Sequence, residues 1–263
     1  MSNPDGSAIR GLGLDQFLLF GDSITQWNYD PSNHGWVASL AHKYIRLVDI
    51  VNRGFSGYNT EWCLPILPSI LETTLPSQGR NKILLVVLFL GANDAAFPAT
   101  HRQHVPLQQY SDNLTSMIRI VRAHHPEARI LLVTPPPVFA DDWEVNCVAK
   151  GRPLDRTADI TFKYHTASLQ VGQATGVPTL DTWKLFFGPE GRYDPVVAKS
   201  VLHDGLHFNA KGNDIFAAGI QDRIATLWPE LTPEQLFKDL RLPWHDQLDV
   251  DDLPESLFRN ERK

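Results

Sequence analysis

Cysteine is scarce: Cys63 and Cys147 are the only two in 263 residues. Two isolated thiols cannot make the disulfide framework that staples a small secreted fold, and they suit a reducing compartment. Blocks of one charge are missing as well. The 24 basic and 30 acidic residues are interleaved, with a formal net charge of −6. No basic stripe offers a footprint for nucleic acid or an anionic membrane surface. Long apolar runs are absent, and the longest, Ile83 to Leu90, is far too short to cross a bilayer. Met1 to Ser7 carry neither the basic flank nor the apolar core of a secretory signal. The final Glu261-Arg262-Lys263 spells neither an ER-retention nor a peroxisomal address. There is no internal repeat and no low-complexity segment. These absences give the expectation of a cytoplasmic globular protein, with no nucleic-acid partner and no stable membrane insertion. A small, neutral or weakly charged molecule is the expected partner.

What is present is a regular alternation of strands and helices. Hydrophobic residues make up 43% of the chain, enough for one substantial core. Phe17-Leu18-Leu19-Phe20 is a continuous apolar run, the pattern of a strand covered on both faces. Further strands are expected at Asp49–Asn52, Ile83–Leu90, Arg129–Val133 and Val177–Asp181. Helical spacing of apolar residues falls between them, over 34–45, 60–71 (disturbed by Pro65 and Pro68), 107–124 and 155–175. A last helix, capped by Asn209, runs to Leu227. Val138–Pro153 reads as a surface loop carrying Phe139 and Trp143, and the stretch from Asp181 to Lys199 as irregular. Asn113-Leu114-Thr115 spells a glycosylation acceptor but falls inside a helix. The alternation predicts an α/β three-layer sandwich around a mostly parallel five-stranded sheet. Residues 1–230 form its domain. Residues 231–263 are an acidic extension, starting a helix at Thr232-Pro233, with Leu236, Leu240, Leu242 and Trp244 packing back. That tail leaves open a covering helix, a homodimer contact or a lid over the cleft.

Three strand ends carry candidate chemistry: Ser23 after Gly21-Asp22, Gly57 after Arg53-Gly54-Phe55-Ser56, and Asn93 after Gly91-Ala92. In a parallel sheet all three lie on one edge, where open α/β sheets place ligands. A serine hydroxyl attacks only when a base takes its proton, and histidine suits that task near neutral pH. His207 is the candidate base, with Asp204 one turn earlier to orient its far ring nitrogen. The backbone N–H groups of Ser23 and Gly57 and the Asn93 amide are candidate oxyanion donors. Each has a plainer reading: Ser23 as a helix cap, Asn93 as a turn residue. His203 competes with His207 as the base but reads as an exposed loop residue. Asp22 and Asp94 are read as supports of their turns. His101, His104, His124 and His125 match no ligand spacing, so no metal and no cofactor are expected. Trp27, Phe97, Phe139 and Trp143 are divided between pocket wall and ordinary packing.

Taken in order, Gly21-Asp22-Ser23, Gly57, Gly91-x-Asn93-Asp94 and Asp204-x-x-His207 resemble the four blocks of the SGNH (GDSL-type) hydrolase superfamily. Asn52–Thr60, Gly91–Ala95, Thr134–Pro137 and Ser200–His207 are similar to the corresponding stretches of isoamyl acetate-hydrolysing esterases. Ile24 stands where the family name has leucine, a change of like volume. The resemblance implies a flavodoxin-like fold, Ser23 as nucleophile, and Asp204 and His207 as its partners. Gly57 and Asn93 are the implied oxyanion donors. The activity it implies is hydrolysis of short-chain acyl esters, acetates of small alcohols above all, through an acyl-enzyme. A deacetylase, lysophospholipase or thioesterase on the same machinery, or a catalytically silent binding domain, are the alternatives.

Overall fold

The computed structural model describes residues 13–74, 81–98, 102–239 and 243–258. His101, Leu240, Leu242 and both chain ends lie outside them. Five strands, β1 (Asp15–Gly21), β2 (Val48–Gly54), β3 (Ile83–Phe89), β4 (Arg129–Val133) and β5 (Thr179–Leu180), form one sheet in the order β2-β1-β3-β4-β5. Every pairing is parallel. The three-layer α/β expectation therefore holds.

Alternation along the central strands explains the layers. Phe17, Leu19, Leu85, Val87, Phe89, Leu131 and Val133 point into one core, and Leu18, Phe20, Val86, Leu88, Ile130 and Leu132 into the other. The strands read as unbroken apolar runs because both faces need cover. The first face is covered by α1 (Trp36–Lys43), through Trp36, Val37 and Leu40, and by α2 (Ala210–Leu227), through Phe216, Ile220 and Ile224. Leu67, Leu114, Met117, Tyr164 and Val171, from three helices between Leu67 and Thr175, cover the second. Each fully buried side chain of this size contributes about 1.5–3 kcal/mol of hydrophobic stabilisation.

Several local expectations are corrected. The 60–71 segment is two helices, Thr60–Cys63 and Leu67–Thr74, split around Pro65. Val138–Pro153 is no surface loop, because Ala140–Ala149 is a helix that buries Trp143 and Cys147. Its Val145 and Val148 face solvent, so no clean apolar stripe marked it in the sequence. The stretch after Asp181 holds two short helices, Thr182–Phe187 and Pro195–Val201, capped by Asp181 and Asp194. The helix expected from Asp155 begins only at Ala158. Asn113 is buried and donates to Thr60 Oγ1 at 3.0 Å, which removes it from glycosylation. Both cysteines are buried and unpaired.

Beyond α2, Leu231 is buried in the first core and Leu236 packs against it. The Arg46 guanidinium sits 4.0 Å over the Trp244 ring and donates to Pro243 O at 3.3 Å. Among the described residues no helix is long and apolar enough to cross a membrane.

Candidate active site

β1 lies between β2 and β3, so the chain leaves it in one direction and later returns on the other side. This reversal opens a crevice at the carboxyl ends of the strands. The residues after β1, β2 and β3 meet there. Gly21 pairs with both Gly54 and Phe89, which sets Ser23, Gly57 and Asn93 at neighbouring strand exits. Asp22 caps the short helix carrying Ser23, accepting from Ile24 N at 2.9 Å. Asn52 ties the exits of β1 and β2 together, donating to Thr25 O at 2.9 Å and accepting from Gly54 N at 2.9 Å. Gln26 Oε1 accepts from Ser56 N at 2.6 Å. Gly57 has φ +81°, a left-handed conformation that glycine adopts without strain.

The fourth component arrives from the far end of the chain. Leu202 and Phe208 form an isolated antiparallel bridge, and His203 N donates to His207 O at 3.0 Å. Asn209 caps α2 through Gly212 N and donates to Ser200 O and Leu202 O, closing the loop's base. Gly205 has φ +87°, and a Cβ there would lie 2.4 Å from Phe139 O and 2.5 Å from Trp143 N. Only glycine lets the loop pack so closely on the helix of Trp143.

The loop delivers His207 Nε2 to 2.8 Å from Ser23 Oγ. His207 Nδ1 lies 2.8 Å from Asp204 Oδ2. Asp204 Oδ1 accepts from Leu206 N at 3.0 Å and His207 N at 2.8 Å. Burial pushes the Asp204 carboxyl up, but the bond and charge of His207 and the two backbone donors outweigh it. They hold the carboxyl well below the usual carboxylate range. Such a relay can take a proton from the hydroxyl and keep the imidazole in one tautomer. Among the described residues no hydrogen bond engages Ser23 N or Gly57 N. Asn93 donates one amide hydrogen to Tyr58 O at 2.8 Å, and its second has no acceptor there. Three donors at neighbouring strand exits are thus unengaged among the described residues.

Other expected residues fall into place differently. His203 is exposed as expected, yet it lines the cavity and stacks on His207 at 5.8 Å between centroids. Of the four aromatic candidates only Trp27 lines the cavity. Trp143 is buried with its ring 6.3 Å from His207, while Phe139 packs against the core. His104, His124 and His125 each pair with a backbone carbonyl: Ala96 O, Ile120 O and Leu71 O. The ligand atoms of His203, Asp204 and His207 lie within 4.8 Å of one another, but Asp204 Oδ2 is already the partner of His207. Sequence reasoning missed Arg156, Gln103 and Asn146. Asn146 Nδ2 donates to Asp204 Oδ2 at 3.5 Å. Nothing local to these residues marks them.

The cavity holds about 280 Å³ and is lined by Ser23, Trp27, Asn28, Asn33, His207 and Phe208, with His203 and Asp204 at its side. A larger concavity of about 800 Å³ runs along the β2 edge, but it contains neither Ser23 nor His207. The chemistry belongs to the smaller one.

Residues 19–215 match the model of the GDSL-like Lipase/Acylhydrolase family. The chain belongs to that family. Its enzyme class is accordingly that of a carboxylic ester hydrolase. The human isoamyl acetate-hydrolyzing esterase 1 homolog is 38% identical over 234 residues, covering 88% of this chain and 87% of that one. The isoamyl acetate-hydrolyzing esterase of Saccharomyces cerevisiae is 32% identical over 248 residues, covering 90% and 97%. The crystal structure of a lipase/acylhydrolase from Enterococcus faecalis shares the fold, with a TM-score of 0.57 and 23% identity over 81% of this chain and 96% of that one.

Two carboxyl groups lie buried behind this GDSL-family site. Burial pushes Asp22 up to about 6 and Asp94 up to about 7. Asp94 Oδ1 accepts from Thr60 N at 3.0 Å and Thr60 Oγ1 at 2.5 Å, while its Oδ2 has no partner among the described residues. A carboxyl raised in the folded state keeps its proton there after the unfolded chain has released it. Stability therefore falls as pH rises from about 4 to about 7. Asp94→Asn keeps an acceptor for Thr60 and does not titrate. Its stability relative to the unmodified protein is expected to rise by about 2–4 kcal/mol between pH 4 and pH 8, measured by urea unfolding. A constant difference across that range would rule out the raised carboxyl.

Proposed function

We propose that this protein is a serine esterase that hydrolyses short-chain acyl esters, acetates of small alcohols such as isoamyl acetate above all, in a reducing cytoplasmic setting. Residues 231–263 are read as an extension of the same domain. The observation that carries the reading is the continuous relay from Ser23 Oγ through His207 to Asp204, opening into a cavity of only about 280 Å³. Sites for drug-sized ligands span about 300–1,000 Å³. A small acyl and alcohol pair fits this one, with Trp27 and Phe208 as its apolar walls. The names of the human and yeast relatives support the acetate ester.

The reaction follows from the geometry. Ser23 Oγ attacks the ester carbonyl carbon while His207 Nε2 takes the hydroxyl proton. The carbonyl oxygen becomes an oxyanion, held by Ser23 N–H, Gly57 N–H and Asn93 Nδ2–H. Collapse breaks the carbon–oxygen bond to the alcohol, which leaves with the proton from Nε2. A water then attacks the acyl-enzyme, giving its proton to Nε2, and the carboxylic acid departs as Ser23 recovers its hydrogen. Asp204 stays ionised and stabilises the imidazolium.

Initial rates on p-nitrophenyl esters from acetate to palmitate, with isoamyl acetate alongside, test the reading. The expected kcat/KM falls by about 100-fold or more from butyrate to the longest chains, since added methylenes find no space. A preference for long chains would transfer the substrate to lipids. No hydrolysis of any ester would end the esterase reading.

A further inference from the structure

Arg156 is among the most buried residues of the chain, and its guanidinium has no access to the cavity. A buried cation is costly unless each donor finds an acceptor. Asp155 Oδ1, held in turn by Trp143 Nε1 at 2.8 Å, accepts from Arg156 Nη1 at 2.6 Å. The other donors turn toward the oxyanion side of the site. Nε donates to Ala92 O at 2.9 Å, and Nη2 to Asn93 Oδ1 at 3.0 Å and Gln103 Oε1 at 2.6 Å. Gln103 Nε2 passes the contact on to Gly57 O at 2.6 Å.

We propose that Arg156 is a positioning residue that holds two of the three oxyanion donors, Asn93 directly and Gly57 through Gln103. This rests on the esterase reading above. Two effects follow from the contacts. The bond to Asn93 Oδ1 excludes the flipped amide, because a guanidinium cannot face an NH2 group. The same bond draws electron density toward Oδ1 and makes the Nδ2–H a stronger donor to the developing oxyanion. Gly57, in its left-handed conformation, is held at its carbonyl, which restrains the residue that carries the N–H donor. Preorganised donors act on the transition state, so the effect belongs in kcat rather than in ground-state binding.

The test compares Arg156→Gln, Arg156→Lys and Gln103→Ala with the unmodified protein on p-nitrophenyl acetate, each also in an Asn93→Ala background. Melting temperatures identify the variants that fold. Removing one oxyanion donor typically costs about 100–1,000-fold, so Arg156→Gln is expected to lower kcat by about 30–100-fold with KM within about threefold. Arg156→Lys, which keeps the charge without the fork, should fall between. Gln103→Ala leaves Arg156 in place and is expected to cost about 5–20-fold in kcat, so the inference stays testable even where Arg156→Gln does not fold. In the Asn93→Ala background the cost of Arg156→Gln should shrink to about 5–20-fold or less, the share carried by Gly57 through Gln103, because the Asn93 arm is already gone. Folded variants with unchanged kcat, a cost confined to KM, or an undiminished cost beside Asn93→Ala would each overturn the positioning role while leaving the esterase standing. Absence of hydrolysis by the unmodified protein would instead overturn the esterase reading, and this inference with it.

Discussion

Ser23→Ala is expected to lower kcat on p-nitrophenyl acetate by at least about 10,000-fold, with the melting temperature essentially unchanged. Among the described residues the hydroxyl makes one hydrogen bond, to His207 Nε2, and that bond holds the attacking atom at the base. Alanine keeps the Cβ, so the turn after Gly21 and the Asp22 cap on Ile24 N persist. What disappears is the only oxygen able to form an acyl-enzyme at this place. A residual rate above that of free water remains, because donors for the oxyanion and the cavity itself are retained. A fluorophosphonate probe gives an independent readout. It should add its mass once to the unmodified protein and not at all to the variant. Retained hydrolysis, or labelling elsewhere, would remove Ser23 from the nucleophile's role.

Asp204→Asn carries the second large effect, a loss of about 10,000-fold in kcat with the loop geometry preserved. Asparagine can still accept the backbone N–H groups of Leu206 and His207 through its oxygen. Its NH2 then faces His207 Nδ1, which must turn acceptor and carry its proton on Nε2 instead. That proton points at Ser23 Oγ, and the imidazole can no longer take one from it. Crystallography or NMR of the variant should find the loop in place and the tautomer changed. In the unmodified protein the Asp204 carboxyl is held well below the usual range. Its stabilising bonds are fully present above the unfolded-state value and are lost only as pH falls through the lower folded one. From pH 9 down to 5 Asp204 stays ionised. A change of kcat with pH over that range therefore does not come from this acid. A variant retaining more than about a tenth of the activity would deny Asp204 the orienting role.

Much of the site was readable because its members are local to strong secondary-structure signals. Ser23, Gly57 and Asn93 each follow an apolar strand by a few residues, so placing the strands places them. Asp204 and His207 lie on one short turn, and their spacing alone brings carboxylate and imidazole together. Arg156 was not readable. Its partners Asn93 and Gln103 are 63 and 53 positions away, and neither periodicity nor composition connects them. The helix of Trp143 escaped for a different reason. Trp143 and Cys147 turn inward while Val145 and Val148 turn outward, so the apolar residues circle the helix instead of marking one face.

The sequence by itself determined the layered α/β class, the number of strands and the edge of the sheet on which the chemistry stands. Unbroken apolar runs demand cover on both faces, and alternating helices supply it in parallel connections. Only the tertiary structure decided that a loop 184 positions from Ser23 brings His207 to its hydroxyl. It alone decided that the cavity between them is small, and that a buried guanidinium braces the donors opposite. Those outcomes depend on contacts between segments distant in the chain, whose energies no local pattern records.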